Sequence, residues 1–312
     1  MISIIICSRQ HQQVTRLVKN IEETIGVAHE ILITDNSING NGICKVYNAA
    51  AAKAKFGLFC FVHEDVVFAT SNWGQNIAHH LSNMTTGLVG IAGGDTKSLV
   101  PSSWYISARS NHIHVFQHYQ HKAAKPSYIR IGISDQSHAI NVAVLDGVFL
   151  CTRKDVFLHF RFDEINFQGF HGYDIDYSLQ VSSAYKIKVV PDILIHHYSE
   201  GRPGKDWMDS TLMVSRKWKT QLPVSAHPLS KKAFQDHHWA SMQVFIQRMV
   251  QLDYSLFFII RNFALYSFNK FFNARRFSSM SKYLVAGLFI RYKTRLMRLM
   301  QPIVNPPIQQ RS

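Results

Sequence analysis

Polar side chains gather at three points where an apolar run gives out: Ser8 and Arg9, Asp35, and the tripeptide His63, Glu64, Asp65. The last follows FGLFCFV, an apolar stretch too short for a buried helix, which reads as a central parallel strand covered on both faces. Imidazole and carboxylate groups at the carboxyl end of such a strand can bind a metal ion or a phosphate, and open α/β sheets hold their ligands on that rim. A second set of acids, Asp174 and Asp176, stands two residues apart just after His171 and Gly172. Residues two apart on a helix point to nearly opposite faces, so these carboxylates cannot share one task.

The elements that must position these groups follow from the pattern. Ser3 to Cys7 is a β-branched run closed by a polar turn, Val14, Leu17, Val18, Ile21 and Ile25 fall at helical spacing, and Gly26 stops that helix. Glu30 to Thr34 is a second strand, and strand, helix, strand in that order predicts a right-handed parallel crossover. Ile43 to Ala54, carrying Asn48, is an alanine-rich helix that delivers the chain to the strand ending at His63. Ser8, Asp35 and His63 to Asp65 would then line one rim of one sheet.

Further on, Trp73 to Met84 reads as a helix and Leu88 to Ala92 as a strand. Val142 to Cys151 reads as a strand pair or bulged strand interrupted by Asp146 and Gly147, where a glycine signals close approach of another group. A helix from about Tyr173 to Ala184, a strand at Lys186 to Val190 and the run Ile193 to Ile195, ending in His196 and His197, complete the pattern. Between Asp95 and Asn141 no periodicity is read, and His112, His114, His118 and His121 are taken as solvated loop or hairpin residues without the frame of a metal site.

In this order and spacing the chain resembles the GT-A glycosyltransferases of family 2, most closely a bacterial subgroup with His-x-Asp where most members have Asp-x-Asp. The resemblance covers about residues 2 to 220 and rests on IIICSR, ITDNS, GICKVYNAAAAKAKFGLFCFVHEDV, LDG at 145 to 147, FDE at 162 to 164, FHGYDIDYSLQ and HHYSEG. It implies an α/β fold with a mostly parallel central sheet flanked by helices. It also implies transfer of a sugar from a nucleotide-sugar donor to an acceptor hydroxyl, with inversion, assisted by a divalent cation, Mn2+ or Mg2+. Asp65 matches the metal-binding acid, and His196 or His197 a late metal ligand. Asp35 matches the nucleoside contact, with Ser8, Arg9, Asn48, His63 and Glu64 assigned to the nucleotide side, and Asp146, Gly147 and Tyr173 to the acceptor side.

Asp174 matches the family's base. Near the helix start it can project into the cleft, kept ionised by helix amides and the metal, while Asp176 orients the loop from beneath. A carboxylate opposite the leaving group suits a single displacement, and a hard cation suits a departing diphosphate. The competing classes are a nucleotide-sugar-binding protein without transfer activity, which could dispense with Asp174 and LDG, and a membrane-surface scaffold, which would need only the C-terminal region.

The totals agree with a folded protein. The 312 residues are 46% hydrophobic and 17% charged, enough for one sizeable domain, placed at 1 to 220, and a helical appendage at 221 to 312. From His237 onward there are eleven Lys or Arg against one acid, Asp253, so most of the formal charge of +14 lies there. Basicity confined to an amphipathic tail suits an anionic membrane surface and argues against nucleic acid as partner. Trp239 to Asn269 and Lys282 to Met300 read as helices too interrupted to span a bilayer. In the second, Arg291, Arg295 and Arg298 form a narrow arc beside Leu288, Tyr292, Leu296 and Leu299. With no CxxC pair and no signal peptide, the four cysteines are expected reduced and the protein cytoplasmic, peripheral on the inner face of the membrane, where a saccharide or lipid-linked saccharide, as in polysaccharide or lipopolysaccharide synthesis, would be the acceptor.

Overall fold

The computed structural model describes residues 1–107, 109–119, 124–134, 138–199, 201 and 203–299, the last few of these without every side chain. It divides into two compact units, Met1–Ser241 and Met242–Ser312.

The first unit is built on a seven-stranded sheet. Its central strand, Leu58–His63, lies between Ile2–Ser8, to which it is parallel, and Phe149–Arg153, to which it is antiparallel. His29–Asp35 extends the sheet beyond Ile2–Ser8, while Thr86–Gly90, Lys186–Val189 and Ile140–Val142 extend it on the other side. The pairings run five strands one way and only Phe149–Arg153 and Ile140–Val142 the other. A mostly parallel sheet is therefore present. Alternate residues of each strand enter different cores, as the two-residue repeat requires. Ile5, Phe59 and Phe61 pack with the helices Ile43–Ala51 and Tyr173–Ser182 on one face. Ile4, Ile6, Cys60 and Val62 pack with His11–Thr24 and Trp73–Ser82 on the other.

Part of the segment expected to lack pattern forms strands. Asn111–Gln117 joins Ala92–Gly94, Val144–Leu145, Ile195–His197 and Val66–Phe68 in a second sheet, and Ser127–Ile131 pairs with it as a hairpin. Ile113 and Val115 are buried while His112 and His114 take the outer positions, so the histidines are the polar half of a strand alternation. His112 bonds the Gly132 carbonyl oxygen at 2.8 Å and His114 the Tyr128 hydroxyl at 3.0 Å, which answers the hairpin reading for those two. His121 lies outside the described residues.

All four cysteines are free. Residues 221 to 241 do not stand apart from the first unit, because Val224–Ser225 pairs with Thr96–Lys97. The second unit contains the end of Lys231–Gln251, then Leu256–Ser267 and Ala274–Leu299. The expected single helix from Trp239 to Asn269 is interrupted where Asp253 takes a left-handed backbone, φ 61°, and Ser255 caps the next helix. Among the described residues no helix is long and apolar enough to cross a membrane.

Candidate metal site

The central strand ends at His63, and Val66–Phe68 then turns into the second sheet, antiparallel to Ile195–His197, with His197 opposite Val66. The Tyr198 amide donates to the Asp65 carbonyl oxygen at 2.9 Å and closes this register. One ligand atom each from His63, Asp65 and His197 consequently lies within 4.8 Å of the others. His197 Nε2 is 3.7 Å from Asp65 Oδ1, and that oxygen is buried without a hydrogen-bond partner. A buried carboxylate oxygen left without a donor is costly. Two imidazoles and one orphaned carboxylate oxygen make a donor set that fits a divalent cation.

The ambiguity between the adjacent histidines ends with the strand geometry. Successive side chains point to opposite faces, so His196 turns away from Asp65. Its Nδ1 is 2.9 Å from His118 Nε2, and its ring stacks on Phe116 at 4.7 Å. His197 alone of the two enters the cluster. His63, assigned from sequence to the nucleotide side, enters it as well. The Tyr173 hydroxyl donates to the Gly147 carbonyl oxygen at 3.0 Å, so at 2.8 Å it must receive the Nε2–H of His63, leaving Nδ1 with its lone pair. Burial pushes His63 below its ordinary pKa against the pull of Asp65 and Asp146, which keeps the ring neutral, the form a ligand needs.

Other expected nucleotide contacts are committed within the protein. Glu64 accepts from the Ser8 hydroxyl at 2.7 Å and from the amides of Arg9 and Gln10 at 3.0 and 2.9 Å. It thereby fastens the turn that opens the first helix, whose leading amides lack partners of their own. Asn48 donates to the Phe162 carbonyl oxygen at 2.9 Å and bridges its helix to the 162–164 loop. The Arg9 side chain is exposed on the rim. Asp35 is also exposed at its strand end, with Oδ1 accepting from the Ser37 amide and hydroxyl at 2.9 and 2.6 Å, contacts that lower its pKa.

The acids on Tyr173–Ser182 separate as their spacing demands. Asp174 Oδ2 accepts from the Gly147 amide at 3.1 Å, and Ser178 ties the helix to the Leu145 amide at 3.0 Å. These bonds join the LDG segment to the helix start. Burial, with the charge of Asp146 beside it, raises the pKa of Asp174 to about 7, outweighing the backbone amides that favour the anion. Asp176 is fully buried and accepts from Trp218 Nε1 at 2.7 Å and Gln180 Nε2 at 2.8 Å, with Lys217 Nζ at 2.7 Å. Both oxygens of Asp176 are thus engaged within the protein.

Gly147 answers the expectation of close approach: a Cβ there would collide with the Tyr173 hydroxyl. Gln117, which no sequence signal singled out, holds His197 Nδ1 at 3.2 Å through Oε1.

Comparison with known proteins agrees with this geometry. The family model described as "Glycosyltransferase like family" matches residues 1–200. No curated protein sequence matches the chain. Among solved structures, that of GalNAc-T7 with UDP, GalNAc and Mn2+ superposes with a TM-score of 0.50 at 10% identity, covering 85% of this chain and 55% of that one. The structure of S. aureus TarS gives 0.51 at 12% identity, covering 94% and 54%. The chain thus spans little more than half the length of either, and at such identities the likeness is one of fold.

Proposed function

The chain belongs to the Glycosyltransferase like family, and from that premise we propose that it transfers a sugar from a nucleoside diphosphate donor to an acceptor hydroxyl, with inversion, at the rim formed by His63, Asp65, His197 and Asp174. The observation that carries the reading is the orphaned Asp65 oxygen beside two imidazoles. The imidazoles of His63 and His197 and the Asp65 carboxylate would hold Mn2+ or a similar cation, which when bound neutralises charge on the departing diphosphate. The exposed Asp35 carboxylate is the group available to the nucleoside, and the Arg9 side chain supplies positive charge on the same rim.

Asp174 takes the proton of the acceptor hydroxyl as its oxygen bonds to the anomeric carbon and the bond to the diphosphate breaks. Its pKa of about 7 sits where a base is most effective at neutral pH. Asp146 and the Gly147 amide orient and tune it. Incubation with Mn2+ and a panel of uridine and guanosine diphosphate sugars tests the reading through release of nucleoside diphosphate. Release is expected with at least one donor, and no release with any donor, alone or with saccharide acceptors, rejects it.

The second unit supports an anionic membrane surface as the place of action. On Ala274–Leu299, Val285, Phe289, Tyr292 and Leu296 recur at helical spacing and are exposed, and Phe257 and Ile260 are exposed on Leu256–Ser267. The surrounding charge is almost wholly basic. Such a face suits a helix lying in the headgroup region, and a lipid-linked saccharide would be presented there. The expected arginine arc does not contribute as drawn, since Arg291 is held by Asp253 at 2.6 Å and the Tyr254 carbonyl oxygen at 2.8 Å. The side chains of Arg295 and Arg298 lie outside the described residues.

A further inference from the structure

We propose that Gln117 is a positioning residue that fixes the tautomer of His197, so that the imidazole presents an unprotonated Nε2 to Asp65 and to a metal ion. The proposal rests on the metal-site reading above and deepens it. Gln117 is the last residue of Asn111–Gln117 and is the register partner of His197 on the adjacent parallel strand. Its side-chain amide lies against three carbonyl oxygens, those of His118 at 2.9 Å, His197 at 3.4 Å and Ser199 at 2.6 Å. Only the NH2 end can face three acceptors; the reversed amide would set its own oxygen against them. The orientation of the amide is therefore dictated chemically, and Oε1 is the atom turned to His197 Nδ1 at 3.2 Å.

An amide oxygen only accepts, so Nδ1 must carry the proton. In the neutral ring Nε2 is then left with its lone pair, 3.7 Å from the orphaned Asp65 oxygen. Without Gln117 the ring is free to protonate Nε2, which would turn an N–H toward Asp65 and satisfy the carboxylate internally. The amide thus opposes a hydrogen bond that would occupy two of the three ligand atoms. Groups that hold the far nitrogen of a metal-binding histidine typically contribute about 10- to 100-fold in metal affinity.

The test is long-range proton–nitrogen NMR of the metal-free, full-length protein, followed by Mn2+ calorimetry on the same samples. His197, assigned by comparison with His197→Ala, should show a protonated Nδ1 and a bare Nε2. In Gln117→Met, similar in length but unable to accept, the Nε2–H form should gain population and Mn2+ affinity should fall about 10- to 100-fold. A dominant Nε2–H form in the wild type overturns the proposal, as does unchanged Mn2+ affinity in a folded Gln117→Met. Failure of the wild type to bind Mn2+ overturns the metal site and the proposal together. Tight Mn2+ binding with the expected tautomer, but no release of nucleoside diphosphate, rejects only the sugar-transfer reading.

Discussion

At Asp174 the effect of burial can be followed with pH. An acid whose folded-state pKa is raised to about 7 binds more protons folded than unfolded between its ordinary value and 7, so its contribution to stability falls as pH rises through that window and levels off above it. Asp174→Asn should therefore melt at a higher temperature than the wild type at pH 8, with the two converging toward pH 4. The same variant should lose about 100- to 10,000-fold in transfer rate while retaining Mn2+ binding. In the wild type the rate should fall about tenfold per pH unit below 7 as the base is protonated. Near-normal turnover in Asp174→Asn would remove its role. The metal cluster predicts an asymmetry between neighbours: His197→Ala should weaken Mn2+ binding at least about tenfold, whereas His196→Ala, losing contacts to His118, Phe116 and Tyr198 but no ligand atom, should leave it near normal by calorimetry. Equal losses in the two would contradict the assignment.

Between elements, Asp176 and Lys217 fasten Tyr173–Ser182 to Lys205–Lys217, with Asp163 as the second carboxylate on the same ammonium at 2.7 Å. Without the Asp176 carboxylate, Trp218 Nε1 and Gln180 Nε2 lose their acceptor while Lys217 keeps Asp163, so Asp176→Ala should cost about 1–3 kcal/mol in denaturant unfolding. Mn2+ affinity of the folded fraction should be retained; a stable but inactive Asp176→Ala would restore Asp176 as a reacting group. The strand ends at Ser8, Asp35 and His63 were legible in the sequence because apolar runs stop there abruptly. The acids of Tyr173–Ser182 could be told apart by helical spacing alone. The second sheet was missed because His112 and His114 disguise its alternation, although Ile113 and Val115 carry it. The internal commitments of Glu64 and Asn48 were not legible, since each depends on a partner more than fifty residues away. The choice of His197 over His196 needed the pairing with Val66.

For the whole molecule, the exposed apolar stripes and basic charge of the second unit predict binding to vesicles containing phosphatidylserine, weakening as salt rises. Truncation after Ser241 should abolish sedimentation with such vesicles. Binding indifferent to salt and to truncation would assign the exposed face to a protein partner. Sheet pairing brings His63, Asp65 and His197 together, and sugar transfer as proposed needs that cluster to hold a cation against a diphosphate. Calorimetric titration of Mn2+ into the full-length protein, with and without UDP or GDP, and into Asp65→Ala, measures that binding most directly. One Mn2+ site is expected in the wild type, tightened by nucleoside diphosphate and lost in a folded Asp65→Ala. The same Mn2+ affinity in Asp65→Ala as in the wild type would contradict it.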